Sequence, residues 1–333
     1  MLPVGRTPDA VYAIPPFEVT GPDVEGLLDE LHEFPTLFRD GFVRREPREP
    51  FLRSMVGQCS TLERKSLEPI AVQTEASSIR AMQRGISDAQ WQEERMLQQY
   101  HQQVAEEMGV SEGVLIVDES GFRKQGEDSV GVARQYCGTL GQVDHCQVGV
   151  FAAYASRQGY ALVDKRLFLP AQWWSDAYAS RRAQCAVPKE GVLHTKPPLA
   201  ADRVRRLHES GTLPFRSMTA DCLYGNSPEF WAACEACVGT VAFVAVPEET
   251  RCWLQPLATT TDTYTYKGAQ RTKRRAAAPA TAPCPVAALA QAIPATFWYR
   301  RTVSEGTKGP ITYEFARKRI MLCKDEQPTT AVW

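Results

Sequence analysis

The stretch VLIVDESGF, residues 114–122, decides the fold of this chain. Its four leading apolar residues predict a buried β-strand, and that strand delivers Asp118 at its carboxyl end. The segment MTADCLYG, residues 218–225, has the same arrangement and delivers Asp221. Because two such strands side by side in one sheet would direct both side chains to one point, the sequence predicts a pair of carboxylates held by rigid backbone.

Paired carboxylates in this position suit a hard divalent cation. Oxygen ligands on fixed backbones favour Mg²⁺ or Mn²⁺ over a softer metal. Two such ions about 4 Å apart would clamp the attacking and leaving oxygens of a phosphodiester during in-line displacement. An aspartate at a strand end is also common as a turn or helix-capping residue, so a structural role stays open for each aspartate taken alone.

Longer motifs surround both aspartates. They are VLIVDESGFRKQGEDSVGVARQYCGTLGQVDHCQVGV at 114–150, LPAQWW at 169–174 and TADCLYGNSPEF at 219–230. With these motifs the chain, from about residue 30 to its end, resembles insertion-sequence transposases of the DDE superfamily, in particular the branch typified by insertion sequence 701. The resemblance implies that Asp118 and Asp221 are the first two metal-binding carboxylates. It also implies Mg²⁺ (or Mn²⁺) as cofactor and double-stranded DNA, both transposon end and target, as substrate.

An α/β fold of the RNase H-like type is expected for the middle of the chain. The order of strand, hairpin, helices, strand, helix and strand suits that fold, although order alone does not establish it. Gly159 marks the hairpin turn, and Ser227 caps the last helix. The expected bounds after the first strand are 147–155 and 160–169 for the hairpin, 173–184 and 198–210 for two helices, 215–220 for a strand, 227–237 for a helix and 241–246 for a strand buried on both faces.

Three regions are expected. Residues 1–107 form a helical N-terminal region, residues 108–247 the RNase H-like catalytic core, and residues 248–333 a β-rich insertion after the fifth core strand. In the first region, the spacing of apolar residues predicts a helix over 22–34, and Ser87 is expected to cap a helix over 88–108. The resemblance implies that this region binds the transposon end.

The resemblance also requires a third carboxylate, for which Glu305 is the candidate. The family places a glutamate on a helix after the insertion, in the pattern Tyr, two residues, Arg, three residues, Glu, six residues, Lys. Arg301 precedes Glu305 at the right distance, but Glu305 falls in an expected hairpin of 298–305 with 311–322. We therefore expect the chain to end before the family's catalytic helix. Two alternatives stay open: a working metal-dependent transposase, or an inactive DNA-binding remnant that competes with or regulates an intact enzyme.

A net charge of −1 is unusual for a protein whose partner is DNA, so local basic clusters must carry the phosphate contacts. A solvated surface is the alternative for each of these charges. Glu119, beside Asp118, should point to the opposite face of its strand and is not expected to be a ligand. The candidates for DNA contact are Arg44, Arg45, Arg64, Lys65, Lys124, Arg134, Arg271, Lys273, Arg274 and Arg275.

The chain has ten cysteines and no recognisable targeting segment. Residues 1–19 lack a basic start and an apolar core, and no apolar run approaches the ~20 residues of a membrane span. We expect a cytoplasmic, nucleoid-associated protein with reduced thiols, in which the CxxC at 234–237 packs inside a helix. Because transposases commonly synapse two DNA ends as dimers, a homodimer is left open.

Overall fold

A computed structural model of the chain describes residues 20–76, 78–126, 128–187, 194–254, 257–266, 269–277, 282–306, 309–324 and 327–332. The first part is helical. Its helices are α1 Gly21–Glu33, α2 Arg48–Cys59, α3 Leu67–Gln73, α4 Ile79–Ser87 and α5 Glu93–Met108, and a 3-10 helix over Phe34–Gly41 follows α1.

Two helix predictions for this part have different outcomes. The helix expected over 22–34 is confirmed as α1. The helix expected over 88–108 is wrong at its start, because α4 extends through Ser87 and α5 begins only at Glu93. Ser78 caps α4, while the hydroxyl of Ser87 donates to a carbonyl one turn back in the same helix and caps nothing.

The middle part contains a six-stranded mixed sheet. Its strands are β1 Val114–Arg123, β2 Ala133–Cys137, β3 Gln142–Ala155, β4 Tyr160–Leu167, β5 Ser217–Ala220 and β6 Val241–Val244. Between and after them lie α6 Ala179–Gln184, α7 Lys196–Ser210, α8 Cys222–Gly225 and α9 Pro228–Ala236. Strand β3 is antiparallel to β1 along one edge and to β4 and β2 along the other, whereas β5 is parallel to β1 and β6 to β5. The order across the sheet is therefore β4-β3-β1-β5-β6. Strand β2 pairs with the first residues of β3, on the same side of β3 as β4.

The hairpin strands, the helices α7 and α9 and the strand β5 confirm their predictions in type and approximate bounds. Strand β2 is an additional sheet strand that was not predicted, so six sheet strands precede the β-rich segment. Its sequence ARQYC exposes Arg134 and Tyr136 and gives no apolar run that would have predicted a strand. The helix expected over 173–184 starts as two 3-10 turns, and only residues 179–184 are α-helical.

Helices α5, α7 and α9 pack on one face of the sheet and form the core. Leu115 and Val117 of β1, at most 2% exposed, pack on this side together with Tyr154 and Leu207. On the opposite face, Phe243 of β6 is 65% exposed in the part of the chain that the structure describes. The expectation of a last strand buried on both faces is therefore wrong, since the helices cover one side of this edge strand.

The last part is rich in β-structure. It contains β7 Arg251–Trp253, β8 Thr259–Tyr266, β9 Ala269–Ala276, β10 Cys284–Pro285, α10 Val286–Ala292, β11 Tyr299–Gly306, β12 Gly309–Phe315, β13 Ile320–Lys324 and β14 Gln327–Val332. Strands β8 and β9 form one hairpin and β11 and β12 another, while β10, β7, β13 and β14 form a four-stranded sheet. The predicted strand over 311–322 is thus divided between β12 and β13, which belong to different sheets. None of the described helices is long and apolar enough to cross a membrane.

Candidate active site

The sheet brings Asp118 and Asp221 together. Strand β1 runs parallel to β5, and the last paired residues are Val117 and Ala220. Each aspartate is the next residue on its strand, and adjacent strands lie about 4.8 Å apart. The strand expected to end at Asp118 continues to Arg123, so Asp118 lies in the middle of β1, whereas Asp221 directly follows β5. Both carboxylates therefore lie where the parallel pairing of β1 with β5 ends.

One oxygen of each carboxylate is fixed by the backbone. Oδ1 of Asp118 accepts a hydrogen bond of 2.8 Å from the N–H of Glu119, and Oδ1 of Asp221 accepts one of 3.0 Å from the N–H of Leu223. Asp221 is thereby the N-cap of the short helix α8, so its structural role exists beside any chemical one. Within the described residues the second oxygen, Oδ2, of each carboxylate makes no hydrogen bond, which leaves two oxygens for a ligand.

The electrostatics of the pair favour a bound cation. Partial desolvation raises the pKa of Asp118 above its ordinary value, and the negative charges of Glu119 and Asp221 raise the pKa further. The hydrogen bond from the Glu119 N–H and the more distant Lys196 oppose this shift. A divalent ion would relieve the repulsion between the carboxylates, and hard oxygen donors fit Mg²⁺ or Mn²⁺. Among the described residues, no group of three or more His, Cys, Asp or Glu residues is placed to hold a metal ion.

Glu119 connects the middle of β1 to the helix that follows β5, from the core side of the sheet. Its Oε1 lies 2.8 Å from Nζ of Lys196 at the start of α7, and its Oε2 accepts a hydrogen bond of 2.8 Å from the hydroxyl of Tyr224 in α8. Tyr224 is fully buried, and the side chains of Glu119 and Lys196 are 18% and 17% exposed. Both oxygens of Glu119 are therefore engaged, and the bond to α8 ties the residue after Asp118 to the helix that Asp221 caps. This agrees with the prediction that Glu119 points away from Asp118.

Sequence reasoning missed the roles of Lys196 and Tyr224. Tyr224 stands in the quoted motif DCLYG, but only the fold shows that its hydroxyl reaches a strand that precedes it by about a hundred residues. In the same motif, a Cβ on Gly225 would collide with the carbonyl of Ala245, just beyond β6. Because Gly225 has no side chain, α8 can pack tightly against the segment that follows β6, while Tyr224 of the same helix reaches Glu119 on β1.

Glu305 lies in the β11–β12 hairpin, where its backbone pairs with Pro310. This hairpin is a two-stranded sheet separate from the sheet that carries Asp118 and Asp221. Its side chain is outside the described part of the structure, so its role as third carboxylate stays a prediction.

The candidate DNA contacts lie on several separate elements. Arg44 and Arg45 are exposed in the turn before α2. Arg64 and Lys65 are exposed between α2 and α3, and Nζ of Lys65 donates to the carbonyl of Gln58 at 2.5 Å.

The remaining basic residues lie near the sheet or in the β8–β9 hairpin. Lys124 is half-buried after β1, and Arg134 is exposed on β2. Arg271 is exposed on β9, which also contains residues 273–275. The side chains of Lys273, Arg274 and Arg275 are outside the described part.

Comparison with known proteins agrees with this geometry. Residues 37–310 match the model of a family described as DDE superfamily endonuclease. The chain belongs to this family. Both aspartates and Glu305 lie inside the matched region, and the resemblance found in the motifs is confirmed.

A curated relative supports the same relationship. The chain is 28% identical over 179 residues to the probable transposase for insertion sequence element IS701 of Microchaete diplosiphon, a match that covers 54% of this chain and 43% of the relative. The chain thus matches less than half the length of that relative.

Proposed function

We propose that this member of the DDE superfamily is an insertion-sequence transposase that cleaves DNA and transfers strands with a divalent metal ion. The observation that carries the proposal is the pair Asp118 and Asp221, each the next residue after the last parallel pair of β1 and β5, and each with a free carboxylate oxygen. The curated relative is a probable transposase, which supports the same assignment.

The catalytic core is proposed to be RNase H-like. Its support is the order β4-β3-β1-β5-β6, with β3 antiparallel and β5 parallel to the strand that carries the first aspartate. The proposed division is a DNA-end-binding region at 1–107, the core at 108–247 and a β-rich insertion at 248–333. The basic residues of the first region, Arg44, Arg45, Arg64 and Lys65, are proposed to contact phosphates.

The chemistry follows from the site's own side chains. Mg²⁺ or Mn²⁺, held by Asp118 and Asp221, would supply Lewis acidity for a water or 3′-hydroxyl nucleophile and neutralise charge on the phosphodiester. The backbone hydrogen bonds to the Oδ1 atoms fix both carboxylates before substrate arrives. The contacts of Glu119 with Tyr224 and Lys196 hold β1 to α8 and α7. Glu305 is the proposed third carboxylate. A homodimer that holds two DNA ends belongs to the same proposal.

Cleavage of a supercoiled plasmid that carries the flanking genomic DNA tests the proposal. With Mg²⁺ or Mn²⁺, the native chain should nick the plasmid, and Asp118→Asn and Asp221→Asn should abolish nicking while DNA binding in Ca²⁺ persists. Asp29→Asn, an exposed carboxylate on α1, is the matched control and should cleave normally. Loss of nicking in Glu305→Gln would make Glu305 a ligand.

Two results would count against this function. Nicking that persists in EDTA, or in both aspartate variants, would exclude the carboxylate pair as the catalytic site. DNA binding by the native chain without nicking in either metal would favour the alternative, a DNA-binding family member that competes with or regulates an active transposase.

A further inference from the structure

An aromatic groove lies on the exposed face of the sheet, directly beside Asp118. In the register of the sheet, Asp118 is opposite Phe151 on β3, and Phe151 is opposite Lys165 on β4. Directly opposed residues point to the same face, so the three side chains form one row across the sheet. Phe151 and Lys165 line a cavity of about 580 Å³ that extends toward Phe122 and Leu167, while Asp118 is the next residue of the row and lies outside the lining. The volume of the cavity lies within the ~300–1,000 Å³ of typical small-ligand sites.

Gly149 shapes the floor of this groove. A Cβ added to Gly149 would lie 2.8 and 2.9 Å from two ring atoms of Phe151, closer than real contacts allow. The ring of Phe151 therefore lies over the glycine, in the space that any other residue would fill with its side chain. The ring of Phe122 meets it edge-on, with centroids 6.0 Å apart and an interplanar angle of 68°. The rings of Phe151 and Phe122 together form an aromatic platform on the floor of the groove.

The rim of the groove is basic. Lys165, Arg166 and Glu93 line it, but Arg166 is opposite the core residue Val150, so Lys165 is the cation whose side chain is on the face of Phe151. Nζ of Lys165 lies 2.8 Å from Oε1 of Glu93, and both side chains are about two-thirds or more exposed, at 68% and 74%. Because an exposed ion pair is weak, a phosphate can compete for Lys165. Lys165 can therefore offer a cation to a phosphate next to a floor suited to an aromatic ring.

We propose that this groove binds one unstacked nucleobase of the DNA substrate, with Phe151 as the stacking platform and Lys165 on the adjoining phosphate. The inference rests on the proposed function, because it places the base next to the phosphodiester held at Asp118 and Asp221. A base inside a duplex is covered on both faces by its neighbours, so only a base that has left the stack can lie on the ring. Every base offers a π-face, so this contact carries little sequence preference.

DNA with a single unpaired base tests the proposed stacking contact with Phe151 separately from other DNA contacts. We would prepare labelled duplexes from the flanking DNA with a single unpaired thymidine, and matched duplexes with an abasic residue in its place, at successive positions across the junction. Binding is measured by fluorescence anisotropy in EDTA, where metal-dependent cleavage cannot occur. Because the bulged nucleotide is already unpaired, any difference between the two duplexes comes from contacts with the base.

The native chain should prefer the thymidine bulge at one position by roughly 5- to 150-fold, the range for stacking of one base on an aromatic side chain. Phe151→Ala should lose this preference, whereas Phe151→Tyr should keep it. Gly149→Ala should weaken the preference because its methyl group displaces the Phe151 ring. Lys165→Gln should weaken binding of both bulges equally.

Leu162→Ala is the matched control. Leu162 is an apolar residue on the same face of the sheet, 61% exposed, but it is not part of the groove. The Leu162→Ala variant should keep the native preference for the thymidine bulge. Thermal denaturation of each variant identifies any that fail to fold, and Phe151→Tyr keeps the comparison valid if Phe151→Ala unfolds.

Three results separate the possibilities. The absence of a thymidine preference at every position, or its persistence in Phe151→Ala, would overturn the inference. A change from dimer to monomer on Phe151→Ala, measured by sedimentation without DNA, would show that a second copy of the chain covers the groove and would also overturn it. If the native chain keeps the thymidine preference but never nicks plasmid, the groove binds a base as proposed, and only the proposed catalytic function is wrong.

Discussion

Substitution of Glu119 by Gln tests whether this residue holds β1 to the helix that Asp221 caps. Glu119 pairs with Lys196 and accepts a hydrogen bond from Tyr224, both at 2.8 Å and both largely shielded from water. The amide of a glutamine can still accept from Tyr224, but the substitution leaves the Lys196 ammonium without its counter-charge. A hydrogen bond to a charged group contributes about 1.5–3 kcal/mol, and a fully buried pair loses about 3–5 kcal/mol when one partner is removed. Since about a sixth of each side chain is exposed, we expect a loss of roughly 2–3 kcal/mol in the free energy of unfolding.

A double-mutant cycle makes the test specific. Lys196→Met should be destabilising by a similar amount, but the double variant Glu119→Gln/Lys196→Met should cost less than the sum of the two, because neither charge is then left alone. Urea denaturation in EDTA measures all four proteins. The matched control is Lys165→Met, which breaks an exposed ion pair and should cost less than about 1 kcal/mol.

The reasoning would be refuted by a Glu119→Gln variant as stable as Lys165→Met, or by strictly additive effects in the cycle. Either result would mean that the contact at Glu119 does not stabilise the site.

Three further predictions concern the same core. Gly225→Ala should lower the free energy of unfolding by at least about 1–3 kcal/mol, because its methyl group would collide with the Ala245 carbonyl; denaturation in urea measures this. Arg203→Met should cost about 3–5 kcal/mol, because it leaves the carboxylate of Asp164, 8% exposed, without its buried partner; the loss should disappear when Asp164→Asn is added. Asp118→Asn should be as stable as the native chain or more so at pH 7 without metal. A raised pKa means that ionised Asp118 destabilises the fold, so the native chain should lose stability relative to the variant as pH rises from about 4 toward 7, in a denaturation series in EDTA.

Each of these has a contrary outcome. Gly126→Ala, where a Cβ would meet nothing within 4 Å, should be neutral, and an equal loss at Gly225 and Gly126 would remove the steric explanation. Additive losses for Arg203 and Asp164 would deny their coupling. A native chain that gains stability over Asp118→Asn as pH rises would reverse the sign assigned to Asp118.

The carboxylate pair was predictable from the sequence because it depends on local signals. An apolar run followed by aspartate marks each strand, although β1 continues past Asp118 to Arg123. The helix start at Ser227-Pro228 and the turn at Gly159 set the order of elements around the pair. The side-by-side placement that makes Asp118 and Asp221 neighbours was an expectation that the sheet bears out.

Contacts between distant segments were not predictable. The bonds of Glu119 to Lys196 and Tyr224 join segments about eighty and a hundred residues apart, and no local pattern indicates them. Strand β2 has too little apolar character to stand out. The exposed side of β6 depends on which face the helices cover, and an apolar run alone cannot indicate that.

The most direct measurement of the central claim is an anomalous difference map from crystals of the native chain grown with Mn²⁺. The account predicts a peak coordinated by carboxylate oxygens of both Asp118 and Asp221, and its loss in matched crystals of Asp221→Asn. No peak between these two residues at saturating Mn²⁺, or a peak that persists unchanged in Asp221→Asn, would contradict it.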